Sequence, residues 1–141
     1  MKTVIIYNSK TGTTKRYAEA IGEYLSSNKM NVSITSIEEY QPEILKDANY
    51  LLLGCWTQGL LFFNQHPEKA WVEFAKKLPE KINTKVILFT TYKILTGSMF
   101  RKMYAHLNYI YNFLYMELKS RNGKLSDTDK ILLGKLADQA A

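Results

Sequence analysis

Thr3-Val4-Ile5-Ile6-Tyr7-Asn8-Ser9-Lys10-Thr11-Gly12-Thr13-Thr14 is the stretch on which the reading of this chain turns. Thr3 to Tyr7 is a continuous β-branched and apolar run, the pattern of a strand covered on both faces. From Thr13 to Leu25 the apolar residues Tyr17, Ala20, Ile21, Tyr24 and Leu25 recur at helical spacing, with Glu19 and Glu23 turned away. A buried strand, a hydroxyl-rich loop with one glycine and an amphipathic helix therefore follow one another without a break.

The same alternation continues outward. Val32 and Ile34, with Ser36 at its end, alternate with polar neighbours and predict a more exposed second strand. Glu43 to Asp47 predicts at most a short helix, and Tyr50 to Leu53 a third strand ending at Gly54. Pro67 suits the first turn of a helix reaching about Leu78, with Trp71, Phe74, Ala75 and Leu78 as its buried stripe. Val86 to Phe89 predicts the fourth strand, and Met99, Met103 and Leu107 a helix from Ser98 to Asn108. From Asn112 the alternation of Leu114, Met116 and Leu118 predicts a fifth, edge-like strand, with one long helix through Leu118 as the alternative. Ser126, Asp127 and Asp129 mark a capped start for the last helix. Five strands alternating with about five helices predict a three-layer α/β fold with a doubly wound parallel sheet.

Bulk properties narrow the class. At 141 residues the chain has room for one core, so residues 1–141 are expected to form a single domain. Apolar residues make up 46% and charged residues 23%, which excludes a disordered chain. No apolar run is long enough to span a bilayer, and Val4 to Tyr7 is too short for the apolar region of a signal peptide. The single cysteine, Cys55, excludes an internal disulfide. A monomer in a reducing cytoplasm is the expectation. The net charge of +6 comes from dispersed lysines without a long basic run, so neither a nucleic-acid nor a membrane partner is expected.

In open sheets of this kind ligands bind beyond the carboxyl ends of the strands. Three loops lie there. Ser9-Lys10-Thr11-Gly12-Thr13-Thr14 offers hydroxyls, a glycine and a helix N-terminus, the components of a phosphate site. It contains neither the nucleotide P-loop string nor the G-x-G-x-x-G dinucleotide fingerprint. Cys55 to Phe63 supplies Trp56 as a flat apolar wall and ends in the unusually apolar Leu60-Leu61-Phe62-Phe63. Thr91-Tyr92-Lys93-Ile94-Leu95-Thr96-Gly97 supplies Tyr92 as a second wall. His66 and His106 have no carboxylate or cysteine at ligand spacing, so no metal site is expected.

Ser9-Lys10-Thr11-Gly12-Thr13-Thr14 resembles the [ST]-x-T-G-x-T phosphate loop of the flavodoxin family. The likeness continues at Gly54-Cys55-Trp56-Thr57-Gln58-Gly59, at Thr90-Thr91-Tyr92 and at Lys119-Ser120-Arg121-Asn122-Gly123-Lys124-Leu125, and it covers the whole chain. The resemblance implies a five-stranded sheet in the order 2-1-3-4-5, without the insertion that long-chain members carry in the last strand. It also implies FMN as the cofactor and electron transfer without substrate chemistry on the protein. The cofactor-binding residues carried over are Ser9, Lys10, Thr11, Gly12, Thr13, Thr14, Cys55, Trp56, Thr57, Gln58, Gly59, Thr91, Tyr92, Lys93 and Gly97. In similar proteins a peptide of the second loop flips when the flavin is reduced, which places the flip in Thr57-Gln58-Gly59 here. The third loop lacks the aspartate common in the family.

Charge sets this chain apart. Residues 9–16, 55–66 and 91–102 hold Lys10, Lys15, Arg16, Lys93, Arg101 and Lys102, and no Asp or Glu. A phosphate offsets about two of these charges. The excess predicts a flavin couple less negative than in acidic flavodoxins, and a redox partner with an acidic docking face.

Two other readings remain open at this point. One is an oxidoreductase acting directly on a small anionic molecule such as a tetrapyrrole or quinone, because Leu60 to Phe63 and His66-Pro67 partly resemble flavodoxin-like protoporphyrinogen oxidases. The other is a cofactor-free binding module, which the intact threonine-glycine loop opposes. A response-regulator receiver would need acidic residues after strands one and three, where Asn8, Ser9, Gly54 and Cys55 stand instead.

Overall fold

The computed structural model describes residues 1–60, 63–80, 82–107 and 112–140. Its elements run β1 (Lys2–Asn8), α1 (Thr13–Ser27), β2 (Asn31–Ser36), β3 (Tyr50–Leu60), β4 (Phe63–Pro67), α2 (Lys69–Ala75), β5 (Lys85–Thr91), α3 (Met99–Ala105), β6 (Asn112–Ser120) and α4 (Asp127–Ala140). A 3-10 turn covers Pro42–Leu45, the place where only a short helix is expected.

Five strands pair in parallel in the order β2-β1-β3-β5-β6. This is the predicted 2-1-3-4-5 arrangement, with β5 and β6 as the fourth and fifth parallel strands. Asn112–Ser120 is a strand, as its alternation indicates, and the long-helix alternative falls for the described residues.

The two-fold period of the strands explains the layers. Val4 and Ile6 of β1, Leu51, Leu53 and Cys55 of β3, and Val86 and Leu88 of β5 share one core with Trp71 and Phe74 of α2 and Met99 and Met103 of α3. Ile5, Leu52, Ile87, Phe89 and Leu118 point the other way, onto Tyr17, Ala18, Ile21 and Leu25 of α1 and Leu133 and Leu136 of α4. Each large aliphatic side chain buried in this way contributes roughly 1.5–3 kcal/mol. The buried stripe of α1 runs through Ala18 and Gly22 instead of the expected Ala20. Gly22 sits so close to β2 that a Cβ there would lie 2.6 Å from Ile34 Cδ1.

Three expectations need correction. The segment after Gly54 is not a loop: β3 continues to Leu60 and turns back as the antiparallel strand β4, with Gln58 opposite His66 and Thr57 opposite Pro67. Pro67 consequently ends β4, where no further ladder N–H is needed, and α2 starts at Lys69 and stops at Ala75 instead of Leu78. The α-helices number four among the described residues, and α3 ends at Ala105. Leu61 and Phe62 of the apolar stretch, and Asn108 at the expected helix end, lie outside the described residues.

Candidate functional site

The loops that follow β1, β5 and β6 and the β3–β4 hairpin meet at one end of the sheet around an open cleft of about 310 Å³, within the range of small-molecule sites. Lys10, Thr11, Thr13, Thr14, Trp56, Thr57, Gln58, Gly59, Thr91, Tyr92, Lys93 and Arg121 line it. Sheet register explains the meeting. Asn8 lies beside Cys55, Trp56 beside Thr91, and Thr91 beside Ser120, so the next residues of each strand leave together.

The first wall is the start of α1. Gly12 precedes the helix with φ 93°, a left-handed conformation that suits glycine, and no side chain caps the first-turn N–H groups. A Cβ at Gly12 would meet nothing within 4 Å, so the space above the loop is open. Ser9 is not on the lining; its Oγ accepts from Gly12 N over 3.0 Å and holds the loop closed. The other end of the chain contrasts with this arrangement. In α4, Ser126 Oγ accepts from Asp129 N over 3.0 Å while Asp129 Oδ2 accepts from Ser126 N over 3.2 Å, so that helix caps itself. Asp129 Oδ2 also accepts from the buried Tyr17 hydroxyl over 2.8 Å. Burial, and then the Asp129 carboxylate, push the Tyr17 hydroxyl well above the usual phenol range.

Trp56 forms a second wall. Its indole N–H donates to Glu68 Oε2 over 2.7 Å, and Lys10 Nζ lies 4.9 Å from its ring centroid. Gly59 has φ 153° and allows the hairpin to bulge between Gln58 and Leu60. A Cβ there would lie 2.6 Å from Asn64 O, which also limits this position to glycine. Thr57 Oγ1 and Thr90 Oγ1 share a 2.8 Å hydrogen bond, and Thr90 Oγ1 donates to Cys55 O over 2.6 Å. Tyr92 completes the cleft; its N–H donates to Ser120 O over 3.1 Å.

Four of the expected site residues are not on the lining: Ser9 and Gly12, which shape the first loop, and Cys55 and Gly97, which lie elsewhere. Cys55 follows Leu51 and Leu53 into the core under α2 and α3 and does not line the cleft. Its thiol donates to Trp56 O over 3.2 Å, and burial pushes it up to about 12. Gly97 stands against the Gln65 side chain, away from the lining. Two residues were missed. Arg121 lines the cleft and donates from Nε to Lys93 O over 3.0 Å; its place just after β6 was the available signal. Glu68 accepts from Asn8 Nδ2 as well as from Trp56, and it falls two residues beyond the loop used for counting charge. The carboxylate-free rim must therefore be restated: the lining itself holds Lys10, Lys93 and Arg121 without Asp or Glu, and one carboxylate stands behind Trp56.

No group of three or more His, Cys, Asp or Glu among the described residues could hold a metal ion. No helix among them is long and apolar enough to cross a membrane.

Comparison with known proteins agrees with this geometry. The model of the family described as Flavodoxin matches residues 5–136. A two-electron reduced flavodoxin from Megasphaera elsdenii superposes with a TM-score of 0.74 at 21% identity, covering 97% of this chain and 98% of that one. A short-chain flavodoxin associated with a non-canonical PDU bacterial microcompartment gives 0.73 at 14% identity, covering 98% and 95%. Rubredoxin oxygen:oxidoreductase from Desulfovibrio gigas gives 0.75 at 15% identity over 97% of this chain. The present chain spans only 34% of that oxidoreductase.

Proposed function

We propose, from the premise that this chain belongs to the flavodoxin family, that it holds one FMN without a covalent link in the described cleft and carries electrons between redox partners. The open N-terminus of α1 carries this reading. A helix that begins at Thr13, with Gly12 before it and no side-chain cap, leaves its first N–H groups open beside the cleft, whereas in α4 Ser126 Oγ accepts from Asp129 N. Such a terminus, flanked by the hydroxyls of Thr11 and Thr13, suits a phosphate dianion, while Thr14 Oγ1 bonds Thr91 Oγ1 beneath it.

The remaining lining suits the rest of the molecule. Trp56 and Tyr92 offer aromatic surface against which a flat ring can stack and shed water. Lys10, Lys93 and Arg121 bring positive charge to the same space. When bound, FMN supplies one- and two-electron redox chemistry. The protein's part is to hold the phosphate, set the ring between its walls and bias the charge. Positive lining favours whichever state of the flavin carries more negative charge, which supports a less negative couple than an acidic site gives. The same charge supports a redox partner that docks through carboxylates.

The visible spectrum of freshly purified protein tests the reading. Flavin bands, with FMN released on heating, are expected, and the apoprotein should regain them when titrated with FMN. Colourless protein that ignores added FMN would overturn it.

A further inference from the structure

The surroundings of Trp56 assign a role to a residue outside the expected site. Glu68 stands between the end of β4 and the start of α2 and is half-buried. A single carboxylate oxygen, Oε2, accepts from the Trp56 indole N–H and from Asn8 Nδ2, each over 2.7 Å. Asn8 ends β1 and is 3% exposed; Trp56 belongs to β3. Glu68 thus fastens together two strands that frame the cleft. Hydrogen bonds to a carboxylate are roughly twice as strong as neutral ones. Trp56 is partly buried and packs against the core shared with α2 and α3, and the exposed Lys10 ammonium lies 4.9 Å from its ring centroid. Neither contact fixes a polar direction; the hydrogen bond from the indole N–H to Glu68 does.

We propose that Glu68 is the positioning residue of the flavin site: it fixes the plane of the Trp56 indole and places one negative charge behind that wall. This rests on the FMN reading given above. Two effects follow and can be separated. The orientation of Trp56 sets how well a flat ring stacks, and needs only an acceptor at position 68. The charge opposes electron addition to a nearby flavin, and needs the carboxylate itself.

Glu68→Gln keeps an oxygen that accepts from both donors and removes the charge. FMN affinity within about threefold of the parent is expected, together with a midpoint potential shifted to less negative values. Glu68→Ala removes the acceptor, leaves Asn8 and Trp56 without it, and is expected to weaken FMN binding at least tenfold. In a Trp56→Phe background the same Glu68→Ala change should cost little further affinity. In the cofactor-free protein, Glu68→Ala should lower the fluorescence anisotropy of Trp56, read as the difference from Trp56→Phe, in which Trp71 is the sole remaining indole. Glu68→Gln should restore it.

Three results would overturn the assignment. One is an unchanged Trp56 signal in Glu68→Ala. Another is an equal loss of FMN affinity with and without the indole. The third is a potential in Glu68→Gln identical to the parent. Failure of the parent to bind FMN would instead remove the functional reading, and the anisotropy comparison would still decide whether Glu68 orients Trp56.

Discussion

Thr14 and Thr91 share a buried hydrogen bond, Oγ1 to Oγ1 over 2.6 Å, between residues 77 positions apart. It joins the first turn of α1 to the last residue of β5, so the loop proposed for phosphate and the strand end beside Tyr92 are held together. Either valine substitution preserves shape but leaves one buried hydroxyl unsatisfied. Thr14→Val and Thr91→Val are each expected to lower stability by about 1–3 kcal/mol. The double variant should lose less than the sum, because no orphan remains. Chemical denaturation of the four proteins measures the coupling, and additive losses would show that the hydroxyls have separate partners.

Gly12 separates backbone requirement from crowding. A Cβ there meets nothing within 4 Å, so steric contact with the protein cannot explain a loss. Its φ of 93° can. Gly12→Val is expected to reduce stability by about 1–2 kcal/mol and to abolish FMN binding, while Gly12→Asn, which tolerates left-handed backbone better, retains more of both. Thr11→Asp should leave the unfolding curve nearly unchanged and weaken FMN at least tenfold by repelling its phosphate. Thermal unfolding alongside FMN titration distinguishes the two kinds of damage.

What the sequence revealed and what it hid follow from the range of the interactions. Thr3 to Tyr7 and Val86 to Phe89 are strands buried on both faces, so composition alone exposes them. The Thr11–Thr14 loop is legible because its chemistry lies in consecutive residues. The β3–β4 hairpin is not, since Thr57-Gln58-Gly59 reads as polar loop until it pairs with His66 and Pro67. Cys55 enters the expected site through the family resemblance of Gly54 to Gly59, although the strand period sends it to the core with Leu51 and Leu53. Glu68 gains its place through Trp56, 12 residues away, and Asn8, 60 residues away. No local pattern records such a contact.

Gly54 is fixed by packing. A Cβ at this position would lie 2.0 Å from Phe89 Cε2, in a ring that is wholly buried. Gly54→Ala is expected to destabilise the fold by about 1–3 kcal/mol through overpacking. Phe89→Leu in the same chain should recover part of that loss, because it removes the ring atoms that meet the new methyl. Melting temperatures of the single and double variants measure the effect; a double variant worse than both singles would place the strain elsewhere.

Cys55 gives the fold a pH dependence at the alkaline end. The thiol's ordinary value is 9.0, and burial raises it to about 12 in the folded protein. The unfolded chain therefore releases this proton first, so the stabilisation is complete below pH 9 and declines as pH rises from there toward 12. Tyr17, also raised by burial, acts in the same direction. Denaturation midpoints are expected to fall over this interval, and the fall should shrink in Cys55→Ala when each variant is compared with its own value at pH 8. At pH 8 the native thiol should resist alkylation that the denatured chain undergoes rapidly.

The rim of the cleft gives a kinetic expectation. Lys10, Lys93 and Arg121 line it without a carboxylate among the lining residues, while Phe63 and Ile94 nearby in the β3–β4 hairpin and the post-β5 loop are 64% and 42% exposed. Uniform positive charge on the lining suits a partner that brings carboxylates, and such steering raises the association rate most at low salt. Electron transfer with an acidic redox protein is expected to slow as ionic strength rises. Lys93→Glu should slow it further and flatten the salt dependence, with rates compared after correction for the variant's own midpoint potential, because the same charge lines the cleft. Transfer that is insensitive to salt, or faster with a basic partner, would assign docking to another face.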